Sequence, residues 1–313
     1  MLNKRPIFIV GFARGGSNIL LNLLRSHPDV CSPRGETQQV FQGIRWHREW
    51  PWTILAKRWR YRPIRRNEGA DIFDLEDWTP RHPFSSDTQR RIDRILYEDK
   101  LKARSTNQNR FKSEGVLYRR EELAASRLLC KNLNGLIFLS PELARMYPDA
   151  TFIALVRNGL AVCEGHIRRG FDAEEIARHY QAGCEQILRD AEELPNYHIF
   201  RFEDLMTDPM AWFESVYECA GLDPTAVDRI RLEDKPVITG SGQRRLIGSA
   251  SRLRLLATRF RPKQLLWYGV DSFAEHFHSE VNTNQIRRLD PRDRELILQH
   301  CGEALGRLDY SLD

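Results

Sequence analysis

One stretch, Pro6 to Leu24 (PIFIVGFARGGSNILLNLL), constrains this chain more than any other. The run Ile7-Phe8-Ile9-Val10 is apolar without alternation, which predicts a strand buried on both faces, as in a parallel sheet. It stops at Gly11. The loop Phe12-Ala13-Arg14-Gly15-Gly16 follows, and Ser17-Asn18 opens an apolar helix. A strand, a glycine-rich loop and a helix N-terminus together form an anion cradle, because unpaired backbone N–H groups and the positive end of the helix dipole face the same loop. Gly15 and Gly16 let the backbone come close to a phosphate. Ser17 can either cap the helix or bond a phosphate oxygen. A tight turn carrying a solvated Arg14 fits the same residues. The pattern is not that of a nucleoside-triphosphate loop, which needs a Lys between its last Gly and the hydroxyl residue. Here Gly16 runs directly into Ser17, and the cation, Arg14, sits inside the loop.

The segment GFARGGSNILLNLLRSHPDV resembles the 5′-phosphosulfate loop of sulfotransferases that use 3′-phosphoadenosine 5′-phosphosulfate (PAPS). That pattern sets a cation, a small residue, Gly and two hydroxyl residues ahead of an apolar helix. Arg14, Gly15, Gly16, Ser17 and Asn18 fall on those places, and the Ser26–Val30 run SHPDV is also typical. Gly15 replaces the usual Ser or Thr. Asn18 replaces the second hydroxyl, and its amide can still donate to an oxyanion.

Three further segments extend the resemblance. Thr151 to Val156 reads as a second buried strand, Arg157 ends it, Asn158-Gly159 turns the chain, and a helix begins at Leu160. Alone, Arg157 reads as a surface Arg at a strand end. In an α/β pattern it lies at the carboxyl edge, where ligands bind. It matches the Arg of the family's 3′-phosphate motif. Gly165 stands where that motif carries a Ser eight residues on, leaving only a backbone contact, and Arg169 falls on a second Arg found in some members. In Leu128 to Leu133 a short apolar run ends in a Lys, Lys131, which by itself reads as a solvated residue at a strand end; an expected helix from Ser140 to Pro148 follows. In tyrosylprotein sulfotransferases a Lys in this setting reaches the sulfate-bearing side of the cofactor. Glu36, in Ser32-Pro33-Arg34-Gly35-Glu36-Thr37, resembles the general base of those enzymes; a Glu in the first turn of a helix is the plain alternative. Ile199 to Leu205 (IFRFEDL) resembles a strand-to-helix corner of the family and reads as structural.

The resemblance implies an α/β fold with a P-loop-like central parallel sheet flanked by helices, spanning one domain over 1–313 with a helical insertion at 42–125. It implies sulfuryl transfer from PAPS to a hydroxyl of a small-molecule or carbohydrate acceptor, with Arg14, Lys131 and Glu36 in the catalytic roles. Such transfer resembles phosphoryl transfer, in which the protein positions partners and stabilises charge. The transferred group carries little charge, and no His/Cys/Asp cluster has ligand spacing, so no metal is expected. A P-loop kinase and a non-catalytic binder of adenosine bisphosphate are the competing readings.

The remaining chain bounds these expectations. The net charge of +5 is modest for 313 residues and does not by itself indicate nucleic-acid binding. Arg45 to Arg66 mixes cations with Trp46, Trp50, Trp52, Trp59 and Tyr61. A helix packing its Trp face on the core ranks first there, acceptor contact second and nucleic acid last. The stretch 105–115 is polar, and 239–263 is rich in Gly and Arg, like the basic C-terminal loop that relatives close over the 3′-phosphate. No run is apolar and long enough to span a membrane, and the first strand begins too early for a signal peptide, so a cytoplasmic location is expected. The six Cys lack paired spacing and read as buried free thiols. Leu289 to Tyr310 reads as a last helix, with Asp290 as cap and Pro291 in its first turn.

Overall fold

The structure is a computed structural model that describes residues 1–33, 37, 40–41, 83–102, 119–233, 265–277 and 281–310. The Trp- and Arg-rich stretch 45–66, the polar stretch 105–115, the basic stretch 239–263 and Glu36 lie outside the described residues. So does much of the expected insertion. Within 42–125 the described part is mainly helical, with α2 (Ser86–Leu101) and α3 (Arg120–Ala125).

Five strands form a parallel sheet in the order β2-β3-β1-β4-β5: β1 (Ile7–Gly11), β2 (Val30–Cys31), β3 (Arg127–Leu133), β4 (Thr151–Val156) and β5 (Tyr197–Arg201). The central β1 pairs with β3 through Ile9↔Lys131 and with β4 through Ile9↔Ile153. The expected strands at Ile7 and Thr151 are both present. The Leu128 run extends past Lys131, which therefore lies within β3 instead of at its end.

Period-2 alternation sends each strand's side chains to two separate hydrophobic layers. Ile7, Ile9, Leu129, Ile153 and Leu155 face α1 (Ser17–Ser26), whose Leu20, Leu23 and Leu24 are fully buried. α7 (Phe202–Thr207) and α8 (Pro209–Cys219) join this layer through Phe202, Trp212, Phe213 and Tyr217. Phe8, Val10, Cys130, Phe152 and Ala154 face the other layer. There lie the 3₁₀ segment Asn134–Leu139, α4 (Ser140–Met146), α5 (Gly159–Ile167), α6 (Ala173–Glu193) and α10 (Pro291–Arg307). A short antiparallel pair, β6 (Arg229–Glu233) with β7 (Leu265–Gly269), α9 (Val281–Ile286) and the 3₁₀ segments Pro224–Ala226 and Phe273–His276 complete the described elements.

Local chemistry explains several helix starts. The side chains of Ser85, Asn158, Asp172, Asp208 and Asp290 each accept a first-turn N–H of α2, α5, α6, α8 and α10. Pro follows the cap at Pro209 and Pro291, where a missing N–H costs nothing. The expected final helix is α10, capped by Asp290 as read. Its Ile297, Cys301, Ala304 and Leu305 pack in one layer with Tyr180, Cys184 and Ile187 of α6. None of the six cysteines is in a disulfide, and all but Cys219 are buried.

The elements that follow β1 and β3 pack on opposite faces of the sheet. In open α/β sheets such a reversal leaves a crevice at the carboxyl ends of the two strands, where ligands bind. The loop after β1 and Lys131 of β3 both stand at this crevice.

Candidate functional site

The loop 12–16 is fixed from below by side chains of the neighbouring turns. The N–H of Ala13 donates to Asn134 Oδ1 at 2.9 Å, and its carbonyl lies 3.0 Å from His166 Nε2, which must carry the ring proton for that bond. The N–H of Gly15 donates to the carbonyl of Phe12 at 3.1 Å. Gly16 has φ 89, and a Cβ there would lie 2.4 Å from Cδ2 of buried Phe202, so both conformation and space demand glycine.

Gly16, and not Ser17, is the N-cap of α1, and no side chain caps the helix. The left-handed Gly16 turns the chain so that Ser17 enters as the first helical residue. Of its alternatives, Ser17 therefore does not act as the cap. The N–H groups of Gly16, Ser17 and Asn18 have no acceptor among the described residues, and no acidic residue lies in the first turn. Unsatisfied donors and the helix dipole thus favour an anion at this point.

Lys131 reaches the same helix turn. Its ammonium donates to Asn18 Oδ1 at 2.7 Å, so the residue that replaces the second hydroxyl holds the neighbouring cation. The hydroxyl of Thr37 donates to the carbonyl of Lys131 at 2.9 Å and accepts its N–H at 3.2 Å. The chain next to Glu36 is therefore tied to β3.

Arg157 is 5% exposed at the end of β4. Its Nη1 donates to the carbonyl of Arg14 at 2.8 Å, its Nε to Asn282 Oδ1 at 2.8 Å, and its Nη2 to Gln285 Oε1. The guanidinium lies 4.5 Å above the Phe202 ring. Burial pulls its pKa down to about 10, against the opposing attraction of Glu203. Glu203 is a hub of this network. Its Oε1 accepts the N–H of Asn158 at 3.0 Å and the amide of Asn282, and its Oε2 accepts the Tyr310 hydroxyl at 2.8 Å. Arg201 stacks 4.6 Å from the Tyr310 ring, and Trp212 Nε1 donates to the carbonyl of Arg201 at 3.2 Å. The IFRFEDL segment thus fixes the strand-to-helix corner, as its sequence suggests.

Arg14 is half-buried and has φ 76, a left-handed conformation for a residue with a Cβ. Its Nε is buried with no hydrogen-bond partner among the described residues. Gly165 lies beneath it, on α5. Arg169 falls just past the end of α5, half-buried, with its N–H on the carbonyl of His166 at 2.8 Å. The structure therefore brings Arg14, Gly165 and Arg157 together on one side of the loop, and Asn18, Lys131 and Thr37 on the other. Asn282, Gln285, Glu203 and Tyr310 come from distant segments, and sequence reasoning did not name them as site partners.

An α/β fold thus carries an uncapped helix start after the middle strand of a parallel sheet, with the cations Arg14 and Lys131 beside it. A profile of the sulfotransferase family matches residues 6–226, more than half of the chain. The chain belongs to the sulfotransferase family. Among solved structures it is similar to the sulfotransferase domain from the curacin biosynthetic pathway, at 14% identity and TM-score 0.50 over 99% of both chains. This likeness speaks for the fold. The sulfotransferase domain from the Synechococcus PCC 7002 olefin synthase aligns at 16% identity and TM-score 0.48, over 99% of this chain and 97% of that one. Sulfotransferase STF9 from Mycobacterium avium aligns at 15% identity and TM-score 0.41, over 99% of this chain and 78% of that one. No curated protein matches the sequence. Among the described residues, no helix is long and apolar enough to cross a membrane, and no cluster of His, Cys, Asp or Glu could hold a metal ion.

Proposed function

We propose that this sulfotransferase uses PAPS as donor and moves its sulfuryl group to a hydroxyl of a small-molecule or carbohydrate acceptor. One observation carries the reading: three consecutive N–H groups at the start of α1 have no acceptor among the described residues, beside a Lys131 ammonium bonded to the same helix turn. These donors fit an anion such as the 5′-phosphosulfate end of the nucleotide. When bound, the donor supplies a sulfuryl group attached to a phosphate leaving group.

The chain's own groups then divide the work. The N–H groups of Gly16, Ser17 and Asn18 and the Ser17 hydroxyl hold the 5′-phosphate in place. Lys131, steadied by Asn18, offers positive charge to the oxygen that leaves. Arg14 adds the second cation of the cradle, Arg157 and Arg169 serve the 3′ side, and Gly165 offers only backbone. Glu36 takes the proton of the acceptor hydroxyl as attack proceeds in line with the departing oxygen. We read 1–313 as one domain, in which 42–125 builds part of the acceptor wall, and the location as cytoplasmic.

Thermal unfolding tests the cradle. Adenosine 3′,5′-bisphosphate at ~100 times its Kd should stabilise the protein by about 2.7 kcal/mol, with a matching rise in Tm, whereas ATP with Mg²⁺ should not. Equal shifts with both would favour a kinase-type loop and defeat the assignment. Incubation with labelled PAPS and pools of sugars, phenols and alcohols then separates an enzyme from a silent binder.

A further inference from the structure

One turn of the cradle is held in a costly form. The N–H of Gly15 donates to the carbonyl of Phe12 at 3.1 Å, so Phe12 to Gly15 make a β-turn. Its third residue, Arg14, has φ 76, whereas Ala13, the second, has no positive φ. That is the type II form, in which glycine usually takes the third place. Here an Arg takes it, at a conformational cost. The type I form spares both residues that strain, and it differs chiefly by a flip of the peptide between them. A group outside the turn must therefore hold this peptide over. His166 is in place to do so, with Nε2 3.0 Å from the Ala13 carbonyl. We infer that His166 is a positioning residue for the cradle, holding the Ala13–Arg14 peptide in the orientation that turns the Arg14 N–H towards a bound anion. The inference rests on the reading that the cradle takes a nucleotide phosphate, and it adds to that reading a side chain of α5 that touches no ligand itself.

The peptide accounting supports it. A planar trans peptide points its N–H and its C=O to opposite sides. With the Ala13 carbonyl drawn to α5, the Arg14 N–H faces away from that helix, and it has no acceptor among the described residues. The two neighbouring peptides have their own anchors, Asn134 Oδ1 on the Ala13 N–H at 2.9 Å and Arg157 Nη1 on the Arg14 carbonyl at 2.8 Å. Among the described residues the Ala13–Arg14 peptide has only His166. The sign of φ then alternates along the loop: positive at Arg14, not at Gly15, positive again at Gly16, and helical from Ser17. Alternating hand brings successive N–H groups to one concave side, which is how backbone nests hold anions. His166 is itself firmly placed. It is 4% exposed, in the last turn of α5, and its carbonyl accepts the N–H of Arg169 at 2.8 Å. Phe171 packs edge-on against its ring, with centroids 5.6 Å apart.

Calorimetric titration of the whole chain with adenosine 3′,5′-bisphosphate tests this. His166→Phe keeps a ring and removes the donor; it should raise Kd by roughly 3- to 10-fold, the worth of one neutral hydrogen bond. His166→Gln carries an amide nitrogen to the place of Nε2 and should bind within about twofold of wild type. His166→Asn has the same amide one carbon short and should behave like His166→Phe. This order follows from reach to the Ala13 carbonyl, and a mere packing role would not produce it. Spectra of ¹⁵N-labelled protein report on the peptide directly. At saturation the Arg14 amide should move to lower field in wild type and His166→Gln, and much less in His166→Phe. If His166→Phe binds like wild type, or if His166→Gln weakens binding as much as His166→Phe does, the bond to Ala13 does not set the cradle and the inference falls. An Arg14 amide that stays in place in saturated wild type overturns it as well. If wild type binds no bisphosphate at all, the cradle reading itself fails. Circular dichroism spectra confirm that folded protein is titrated; His166→Asn replaces His166→Phe where the latter does not fold, and the Arg14 amide of wild type decides the matter where neither does.

Discussion

Replacing Arg157 by Lys is the sharpest test of the polar network at the strand ends. The guanidinium donates to Asn282, to Gln285 and to the Arg14 carbonyl, and it covers the Phe202 ring. Lys has a similar stem and charge but a single nitrogen, so it can replace one of these three separated bonds and lose two. A hydrogen bond from a charged donor contributes ~1.5–3 kcal/mol, and the orphaned Asn282 and Gln285 oxygens lie partly buried. The expected loss is about 3 kcal/mol, a large part of a total stability of ~5–15 kcal/mol. Urea unfolding followed by circular dichroism should show a lower midpoint at unchanged slope. Lys also lacks the further donors that Arg157 is proposed to offer the 3′ side, so affinity for adenosine bisphosphate should fall in the same variant. A midpoint equal to wild type would mean that the three bonds contribute nothing net, and the argument that Arg157 braces the loop would be refuted.

Two other outcomes are expected. Glu36→Gln should bind adenosine bisphosphate like wild type while turnover falls by roughly 10²- to 10⁴-fold, the usual worth of a positioned base; full activity in single-turnover assays would remove Glu36 from that role. His179 is buried and packs edge-on against Phe12 below the loop, and burial, with His166 nearby, pulls its pKa down to about 4. A histidine with a lowered folded pKa favours the folded state fully above about 6.5 and progressively less as pH falls towards 4. His179→Phe should therefore lose less stability than wild type between pH 7 and pH 4.5 in urea titrations, and parallel losses would show that His179 does not titrate there.

Much of the scaffold was legible because it is written in adjacent residues. The β1–loop–α1 unit, β4 with Arg157 at its end, and the Asp290-Pro291 start of α10 each depend on local periodicity and capping. The site was legible only in part. Arg157 could be placed, but its partners Asn282 and Gln285 are more than a hundred residues away in a short helix whose sequence, VNTNQI, announces nothing. Ser17 looked like a cap because Ser commonly is one; the left-handed Gly16, squeezed against Phe202 of another helix, moved the helix boundary and could not be read locally. Gly165 looked like a lost Ser. Its real setting, beneath the carbons of Arg14, depends on how a loop and a helix 150 residues apart pack together. Thr37 likewise gains its meaning only from contact with β3.

The bare start of α1 has a consequence for the protein as a whole. A helix whose first turn lacks its own terminator remains unfinished in the free chain, and the proposed donor, once bound, would supply the missing piece. Ligand and polypeptide would then complete one secondary-structure element between them. On that proposal, occupancy of the site and resistance to unfolding should rise and fall together, so that a cell short of nucleotide would hold a more fragile protein.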